Sequence, residues 1–286
     1  MEWIYKFPVQ FNIDYSVADR AIRGFAERHR AFFDGVTKNT RNFVLIIEKL
    51  LNFIPWWVLV LMVVFVGWRL KGKLVTGIFY GFMLFLVGAA GYWEMMNKTL
   101  SIIIASVLIS LIVGFILGVL MSASERISKI IRPVLDTMQT MPTYVYLIPS
   151  TIFFHLGTVP AVFATTIYAV VPMIRLTCLG IQQVDVEVME AARAYGSTYL
   201  QSLLKVQVPQ ALPTIMSGVN QTIMMAMAMV VTCSLIGAQG LGNEVLYSLQ
   251  RLDMGRGLVS GTAVVIIAII VDRLTQEWVK EKDDGK

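Results

Sequence analysis

Seven long apolar segments constrain how this chain can fold more than any other feature. They cover residues 54–68, 74–92, 100–121, 140–155, 159–180, 214–236 and 258–271. About 20 apolar residues cross the hydrocarbon core of a bilayer as a helix, and interfacial aromatic residues extend shorter runs. The chain is therefore predicted to be an all-α membrane protein with about seven transmembrane helices.

The composition supports a membrane protein and argues against nucleic acid as a partner. Of the 286 residues, 56% are hydrophobic and 15% are charged, whereas soluble domains carry about 25% charged residues. The Lys and Arg residues that give the net charge of +5 are spread between the apolar segments. A nucleic-acid binder instead clusters its Lys and Arg residues on one surface. Cys178 and Cys233 lie far apart in apolar runs, so they are predicted to be buried small residues.

The fourth apolar segment is the least regular of the seven. Pro142 and Pro149 interrupt it, and Gly157 and Pro160 leave room for only a tight turn before the fifth segment. Proline removes a backbone donor and bends or ends a helix. A kinked or broken helix that lines a transport path is therefore expected at residues 140–155.

Short connections rich in Lys and Arg indicate the orientation, since such connections stay in the cytoplasm. Basic residues follow the first, third and seventh segments and border the connection at 185–213. The opposite connections carry only Lys98, Arg251 and Arg256. The C-terminus and the 185–213 connection are therefore predicted to be cytoplasmic, with the N-terminus outside.

The N-terminal region has the composition of an amphipathic helix. Between residues 17 and 33, Phe25 and Phe32 alternate with Arg20, Arg23 and other charged residues. Such a pattern is typical of a helix on a membrane interface, and equally of a helix packed on a partner domain. Both interpretations stay open from the sequence.

These features predict four successive regions. They are an extracytoplasmic amphipathic tail at 1–53, two accessory transmembrane helices at 54–99, a core of five transmembrane helices at 100–275, and a cytoplasmic tail at 276–286.

The polar interval 185–213 is predicted to form a helix, a turn and a second helix. Asp185 can cap a helix over about 186–195. Gly196 stands where a helix ends in a left-handed residue, and Ser197 can cap the helix that follows. Pro209 and Pro213 are then expected to break or restart the chain. An ordinary surface loop is the alternative.

The spacing within this interval resembles the cytoplasmic coupling loop of ABC importer permeases. The pattern is Glu-Ala-Ala, three residues, Gly, nine residues, and then aliphatic-x-aliphatic-Pro, with Val206 and Val208 where the family usually has Ile and Leu. The residues that match are Glu190, Ala191, Ala192, Gly196, Val206 and Pro209. In the family, this loop docks into a cleft of a separate ATPase.

Other motifs extend the resemblance over roughly residues 92–276 to permease subunits of glycine betaine and proline betaine importers. The motifs are MQTMPTYVYLIP at 138–149, PTIMSGVNQTIMMAMAMVV at 213–231, GAQGLG at 237–242 and RLDMGRG at 251–257. The resemblance implies a type I ABC importer permease fold with a cytoplasmic helix–turn–helix coupling loop.

The implied function is import of glycine betaine, proline betaine or a related compatible solute. The implied partners are a second copy of the chain, two ATP-binding subunits that hold ATP and Mg²⁺, an extracytoplasmic binding protein and the lipid membrane. The substrate would be a small zwitterionic quaternary ammonium compound. Alternatives are choline, carnitine or another small polar solute, or an ATP-independent transporter.

The sequence carries no pattern for catalysis or cofactor binding. It has no G-x-x-x-x-G-K-[ST] phosphate loop, no G-x-S-x-G elbow and no H-x-x-x-H pair. We therefore expect a non-catalytic subunit with no bound metal or cofactor.

Polar residues and methionines in the sixth segment are candidates for the transport path. Polar groups inside a bilayer must face a protein interior or a water-filled cavity. Interhelical hydrogen bonds with methionine packing are the alternative interpretation. Tyr144 and Tyr146 join this set because an aromatic face can bind a quaternary ammonium group, although packing would explain them equally. The candidates are Tyr144, Tyr146, Asn220, Gln221, Met224, Met225 and Thr232.

Small residues recur at four-residue intervals in the third segment. They are Ser106, Ser110, Gly114 and Gly118. Such spacing lets helix backbones approach closely. This face is predicted to pack against a helix of the same subunit or of a second copy.

The glycine-rich region 237–257 is predicted to lie outside and to contain an amphipathic piece. Glu244, Arg251 and Asp253 are candidates for docking ion pairs, with solvated charges as the alternative.

Overall fold

A computed structural model describes residues 14–284, and every regular element in that range is helical. The helices are α1 (Tyr15–Arg28), α2 (Arg30–Phe53), α3 (Trp56–Lys71), α4 (Leu74–Ala89), α5 (Trp93–Ala123), α6 (Glu125–Thr140), α7 (Leu147–Phe154), α8 (Thr158–Gln182), α9 (Val186–Ala194), α10 (Tyr199–Ser202), α11 (Val208–Thr232), α12 (Leu241–Arg251) and α13 (Met254–Asp284). Tight 3-10 turns lie at Thr143–Tyr146 and Cys233–Ile236, and a π-helical turn lies at Leu203–Gln207. The all-α class is confirmed.

Four helices of the described chain are long and apolar enough to cross a membrane. They are Trp93–Ala123, Thr158–Gln182, Tyr199–Ile236 and Met254–Gln276. A bent pair, α2 with α3, makes a fifth candidate, with an angle of 89° between its halves. Helices α3 and α4 have 16 residues each, or about 24 Å, against a hydrocarbon core of about 30 Å. The predicted number of seven requires α3, α4 and the broken segment at 140–155 to count as spans.

Helices α5 and α8 run parallel and pack through the small residues of α5. The Ser106 hydroxyl lies 3.3 Å from the carbonyl oxygen of Val162, and the Ser110 hydroxyl donates to the Thr166 carbonyl at 3.2 Å. The same partner helix covers Gly114 further along. The small-residue face therefore packs within the subunit, which confirms one of the two predicted arrangements.

Glycines set the distance between the core helices. A Cβ atom at Gly118 would lie 2.6 Å from Thr177 Cβ and 2.8 Å from the Ile174 carbonyl oxygen. Helix α11 runs antiparallel to α8. The two helices come close at Gly180 of α8, where an added Cβ atom would lie 3.0 Å from Thr214 Cβ of α11. Helices α5, α8 and α11 therefore form a tightly packed three-helix core.

Helices α3 and α4 form an antiparallel hairpin. Gly72 ends α3 in a left-handed conformation with φ of +64°. A Cβ atom at Gly77 would lie only 2.2 Å from the Val64 carbonyl oxygen. This close contact makes the hairpin one unit, at the place predicted for two accessory helices.

The N-terminal helices lie against the core. The Asp14 carboxylate caps α1 by accepting the Ser16 amide at 2.9 Å, and its hydrogen bonds with Ser16 lower the pKa of Asp14. Helix α2 begins after His29 and buries Val44 and Ile47 against the hydrophobic core. The predicted tail at 1–53 thus contains two helices, while its residues 1–13 lie outside the described part.

The segment at 140–155 is broken, as predicted. A 3-10 turn precedes the eight-residue α7, which ends at His155 with φ of 63° and ψ of −152°. Before it stands α6, an amphipathic helix that the sequence interpretation missed. It buries Ser128 and Leu135 and leaves Ile130 exposed.

The last helix is longer than the predicted seventh span. It continues to Asp284 without a break, because neither proline nor glycine occurs between residues 262 and 284. The boundary predicted at 276 therefore falls inside a helix.

Candidate functional site

The first half of the 185–213 interval adopts the predicted geometry. Asp185 caps α9 by accepting the Glu187 amide at 2.9 Å. Gly196 follows with φ of +77°, and its amide donates to the Arg193 carbonyl at 2.9 Å. No atom lies within 4 Å of where its Cβ would be. Glycine is therefore favoured here by its backbone conformation rather than by crowding.

The cap of the second helix differs from the prediction. Thr198, not Ser197, caps α10, in a reciprocal arrangement with Gln201. The Ser197 hydroxyl lies 2.6 Å from the Ala192 carbonyl oxygen and 2.7 Å from the Ser202 hydroxyl. Ser197 therefore links the two helices across the turn, a role that local capping patterns do not reveal.

Of the two outcomes predicted at Pro209 and Pro213, a break or a restart of the chain, neither proline causes a break, and Pro209 stands where a new helix starts. A π-helical turn, in which the Val208 amide donates to the Leu203 carbonyl, leads directly into α11. Pro209 lies in the first turn of α11, where proline fits well. The π-helical turn lies before both prolines, and the chain stays helical from α10 through this turn into α11.

The loop exposes apolar side chains that the sequence interpretation did not select. Tyr195 is 93% exposed, and Tyr199 and Leu200 are also exposed. Glu190, Ala191 and Gly196 are exposed, whereas the remaining matched residues Ala192, Val206 and Pro209 are half-buried. Contiguous exposed apolar residues rimmed by polar ones mark interaction sites. Their occurrence inside an otherwise polar interval was the available sequence signal.

The candidates in α11 share one face of that helix. Gln221 and Met224 are exposed, and Asn220, Met225 and Thr232 are half-buried beside them. At 3.6 residues per turn, these five positions fall within less than half of the helix circumference. The structure therefore brings the α11 candidates to one side of the helix, where this chain leaves Gln221 and Met224 uncovered and packs Met225 against the core.

Two polar atoms of α11 have no hydrogen-bond partner among the described residues. They are Asn220 Oδ1 and Thr222 Oγ1, both buried. Most buried polar atoms in folded proteins are paired. The interhelical hydrogen bonds considered from the sequence are therefore not made by these two atoms within the single described chain.

The two tyrosine candidates lie in different environments. Tyr144 is 62% exposed, while Tyr146 is 4% exposed. The Tyr146 hydroxyl donates to the Met138 carbonyl, and its ring packs edge-on to Tyr168 at 5.8 Å. Only Tyr144 presents its ring to a ligand in this conformation.

The charges near α12 mostly serve the fold. Glu244 is buried and pairs with Arg256 at 2.6 Å. The Asp253 carboxylate accepts the Arg256 amide at 3.1 Å, and Arg251 lies 5.8 Å from the centre of the Tyr247 ring. The proposed docking role of Glu244 is therefore wrong, because its carboxylate is already paired inside the subunit.

Among the side chains that the structure describes, no group of three or more His, Cys, Asp and Glu residues is placed to hold a metal ion. The candidate residues of α11 and Tyr144 offer amide, hydroxyl, thioether and aromatic groups.

Helices of membrane length, an exposed helical loop and a partly uncovered face of α11 are features of the membrane subunit of a transporter. Residues 106–276, more than half of the chain, match the family described as binding-protein-dependent transport system inner membrane component. The chain belongs to this family. It is therefore a multi-pass permease subunit of an ABC importer that works with a binding protein and with a separate ATPase subunit.

Curated relatives are similar to most of the chain. The glycine betaine transport system permease OpuAB of Bacillus subtilis is 41% identical over 94% of this chain and 95% of its own length. The glycine betaine/carnitine permease GbuB of Listeria monocytogenes is 42% identical over 92% and 94%. The glycine betaine/proline betaine permease ProW of Escherichia coli is 44% identical over 80% of this chain and 64% of its own length.

Solved structures share the fold. A chain of the MetNI methionine ABC transporter in an inward-facing form superimposes with a TM-score of 0.59 at 18% identity, over 64% of this chain and 92% of that one. A chain of an amino acid ABC transporter with histidines gives a TM-score of 0.56 at 18% identity, over 70% and 98%.

Proposed function

We propose that this permease imports glycine betaine, proline betaine or a closely related quaternary ammonium solute. The main support is the sequence identity of 41% and 42%, over more than nine-tenths of the chain, to two permeases named for glycine betaine. Identity falls to 29% for a carnitine permease and to 27% for a choline permease. Carnitine remains the second candidate, since the name of one close relative includes it.

The α11 face is the proposed wall of the transport path. It combines the exposed amide of Gln221 and the half-buried amide of Asn220 with the thioether of Met224, and Tyr144 adds an exposed ring. Such a surface offers weak, adaptable contacts to a compact cation with a carboxylate. A second copy of the chain would close the path by covering this face, in a fold of the type I importer class.

The 185–213 interval is the proposed coupling element. Its caps and the Ser197 bridge hold two short helices at a fixed angle. Tyr195 and Leu200 project from this rigid unit, and a cleft on each of two ATPase subunits would bury them. Glu190 adds an exposed charge for a basic group of the ATPase.

The proposed topology has seven spans, with the N-terminus outside and the C-terminus inside. The distribution of Lys and Arg supports it. The helix directions also fit seven alternating spans. Helices α5 and α8, the third and fifth spans, run parallel, and α11, the sixth, runs antiparallel to α8. The N-terminal helices would then lie at the outer surface.

Uptake in reconstituted vesicles tests the proposal. Vesicles that contain this chain, its ATPase and its binding protein should accumulate labelled glycine betaine only with ATP. Proline betaine should compete, and choline should compete poorly. Uptake of choline in preference to both betaines would overturn the assignment.

A further inference from the structure

A cleft of about 450 Å³ opens between α2 and the core. One wall is α2, and the other is formed by the start of α5, the turn between α7 and α8, and the turn after α11. The polar and aromatic side chains that line it include Thr37, Arg41, Glu48, Lys98, Phe154 and Gln239. In the proposed topology all these segments lie at the outer end of the bundle.

Charges of both signs line the cleft without neutralising one another. Among the described residues, neither Arg41 nor Glu48 takes part in an ion pair. The Lys98 ammonium donates to Gln239 Oε1 at 3.1 Å and is likewise in none of those pairs. Arg41 and Glu48 are seven residues apart on one helix, or about 10 Å along its axis. A small molecule can therefore lie between them.

A zwitterion complements this arrangement better than a simple ion does. Glu48 and Lys98 are half-buried and Arg41 is exposed, and half-buried charges gain most when a ligand brings an opposite charge to them. An anionic group is matched by Arg41 or Lys98, close to the start of the 25-residue helix α8, whose N-terminus favours negative charge. A cationic group is matched by the Glu48 carboxylate, while the Phe154 ring, which stacks on Phe163 at 4.1 Å, forms part of the wall.

We propose that this cleft is a binding site for a small zwitterion with an ammonium and a carboxylate or phosphate group. Arg41, Glu48 and Lys98 precede residues 106–276, which match the family, so the charges of the site come from the N-terminal part of the chain and the opposite wall from the family region. Two sources share the chemistry, namely a betaine-type solute from outside and the headgroup of a zwitterionic phospholipid. The solute source rests on the proposed function, whereas the zwitterion chemistry does not.

The test measures binding to the permease–ATPase complex in phosphatidylglycerol nanodiscs without the binding protein. Saturation-transfer NMR on the methyl protons of glycine betaine reports contact, with tetramethylammonium as the probe that lacks a carboxylate. Glycine betaine should give the stronger transfer. Glu48→Gln and Arg41→Gln should each weaken its apparent affinity by about tenfold, the effect of one lost charge-assisted hydrogen bond.

Two exposed charges outside the cleft provide matched controls. Lys49→Gln on α2 and Glu94→Gln on α5 change the same charges and should bind glycine betaine normally. Elution profiles and basal ATP hydrolysis show that each variant is assembled. Equal binding by all four variants, or equal transfer to betaine and tetramethylammonium, would overturn the proposal.

A second set of nanodiscs identifies the source of the zwitterion. If added phosphatidylethanolamine abolishes the betaine signal in the unmodified protein but changes nothing in Glu48→Gln, the cleft holds a lipid headgroup. If the signal persists, it holds the solute. Normal ATP-driven uptake together with unaffected cleft variants would refute this site alone, while zwitterion binding without betaine uptake would refute only the proposed cargo.

Discussion

Glu244 and Arg256 join two successive helices through a largely hidden ion pair, with 2.6 Å between Oε2 and Nη2. The Glu244 side chain is 7% exposed and that of Arg256 is 43% exposed. A carboxylate held in this way needs its partner, because an unpaired buried charge is costly. The pair therefore fixes α12 against the start of α13.

Removal of the Arg256 side chain should destabilise the permease. Arg256→Ala leaves the Glu244 carboxylate buried without a cation, and a loss of about 1–3 kcal/mol is expected, less than for a fully buried pair because solvent reaches Arg256. The melting temperature of the purified complex in detergent measures it. Arg251→Ala is the matched control, and equal melting temperatures for both variants would contradict the structural role.

Substitution of Gly196 should uncouple transport rather than unfold the protein. Its φ of +77° costs a residue with a Cβ atom about 1–2 kcal/mol, and a β-branched residue more. Gly196→Val should lower betaine uptake and substrate-stimulated ATP hydrolysis together while membrane insertion stays normal. Gly24→Ala, at a helical glycine with equally open surroundings, is the control.

Loss of the exposed loop side chains should weaken attachment of the ATPase. Tyr195→Ala and Glu190→Ala remove groups that make no contact inside the core and lie on the exposed surface of the loop. Co-purification of the ATPase should fall for both variants, with the larger effect at Tyr195, since buried aromatic residues dominate interfaces. Full retention of the ATPase by both variants would remove this loop from the docking surface.

A Cβ atom at Gly118 should push α5 and α8 apart. The distances of 2.6 Å to Thr177 Cβ and 2.8 Å to the Ile174 carbonyl oxygen leave no room, and overpacking costs about 1–3 kcal/mol. Gly118→Val should therefore lower the melting temperature and the amount of folded protein. Gly261→Ala in α13, where nothing lies within 4 Å, should be tolerated.

Cysteine labelling tests the topology at exposed positions. In a chain with Cys178 and Cys233 replaced by alanine, cysteines at Lys73, Lys129 and Gln201 should react only from the cytoplasmic side, and one at Glu94 only from outside. Neighbouring Asn97, Ser128 and Ser202 are buried and would label poorly for that reason alone. Labelling of the Gln201 position from outside would reverse the topology.

Local signals in the sequence predicted the helical class, the position of the loop and the left-handed turn at Gly196. These depend on runs of apolar residues and on caps within a few residues of each other, so the order of the chain contains them. The same holds for the break at 140–155, where Pro142 lies directly before the 3-10 turn. The sequence determined the lengths of the spanning helices less well, because residues that flank the apolar segments extend α5 and α13 beyond them.

Only the tertiary structure decided which distant residues meet. Tyr144 and Tyr146 are equivalent in the sequence, yet packing against Tyr168 buries one ring and leaves the other exposed. Glu244 looked available for a partner until α13 brought Arg256 to it. Arg41, Glu48 and Lys98 carry charges of both signs, and they line one cleft only because α2 packs across the start of α5. Such contacts follow from the way whole helices fill space together, which the order of residues along any single helix does not encode.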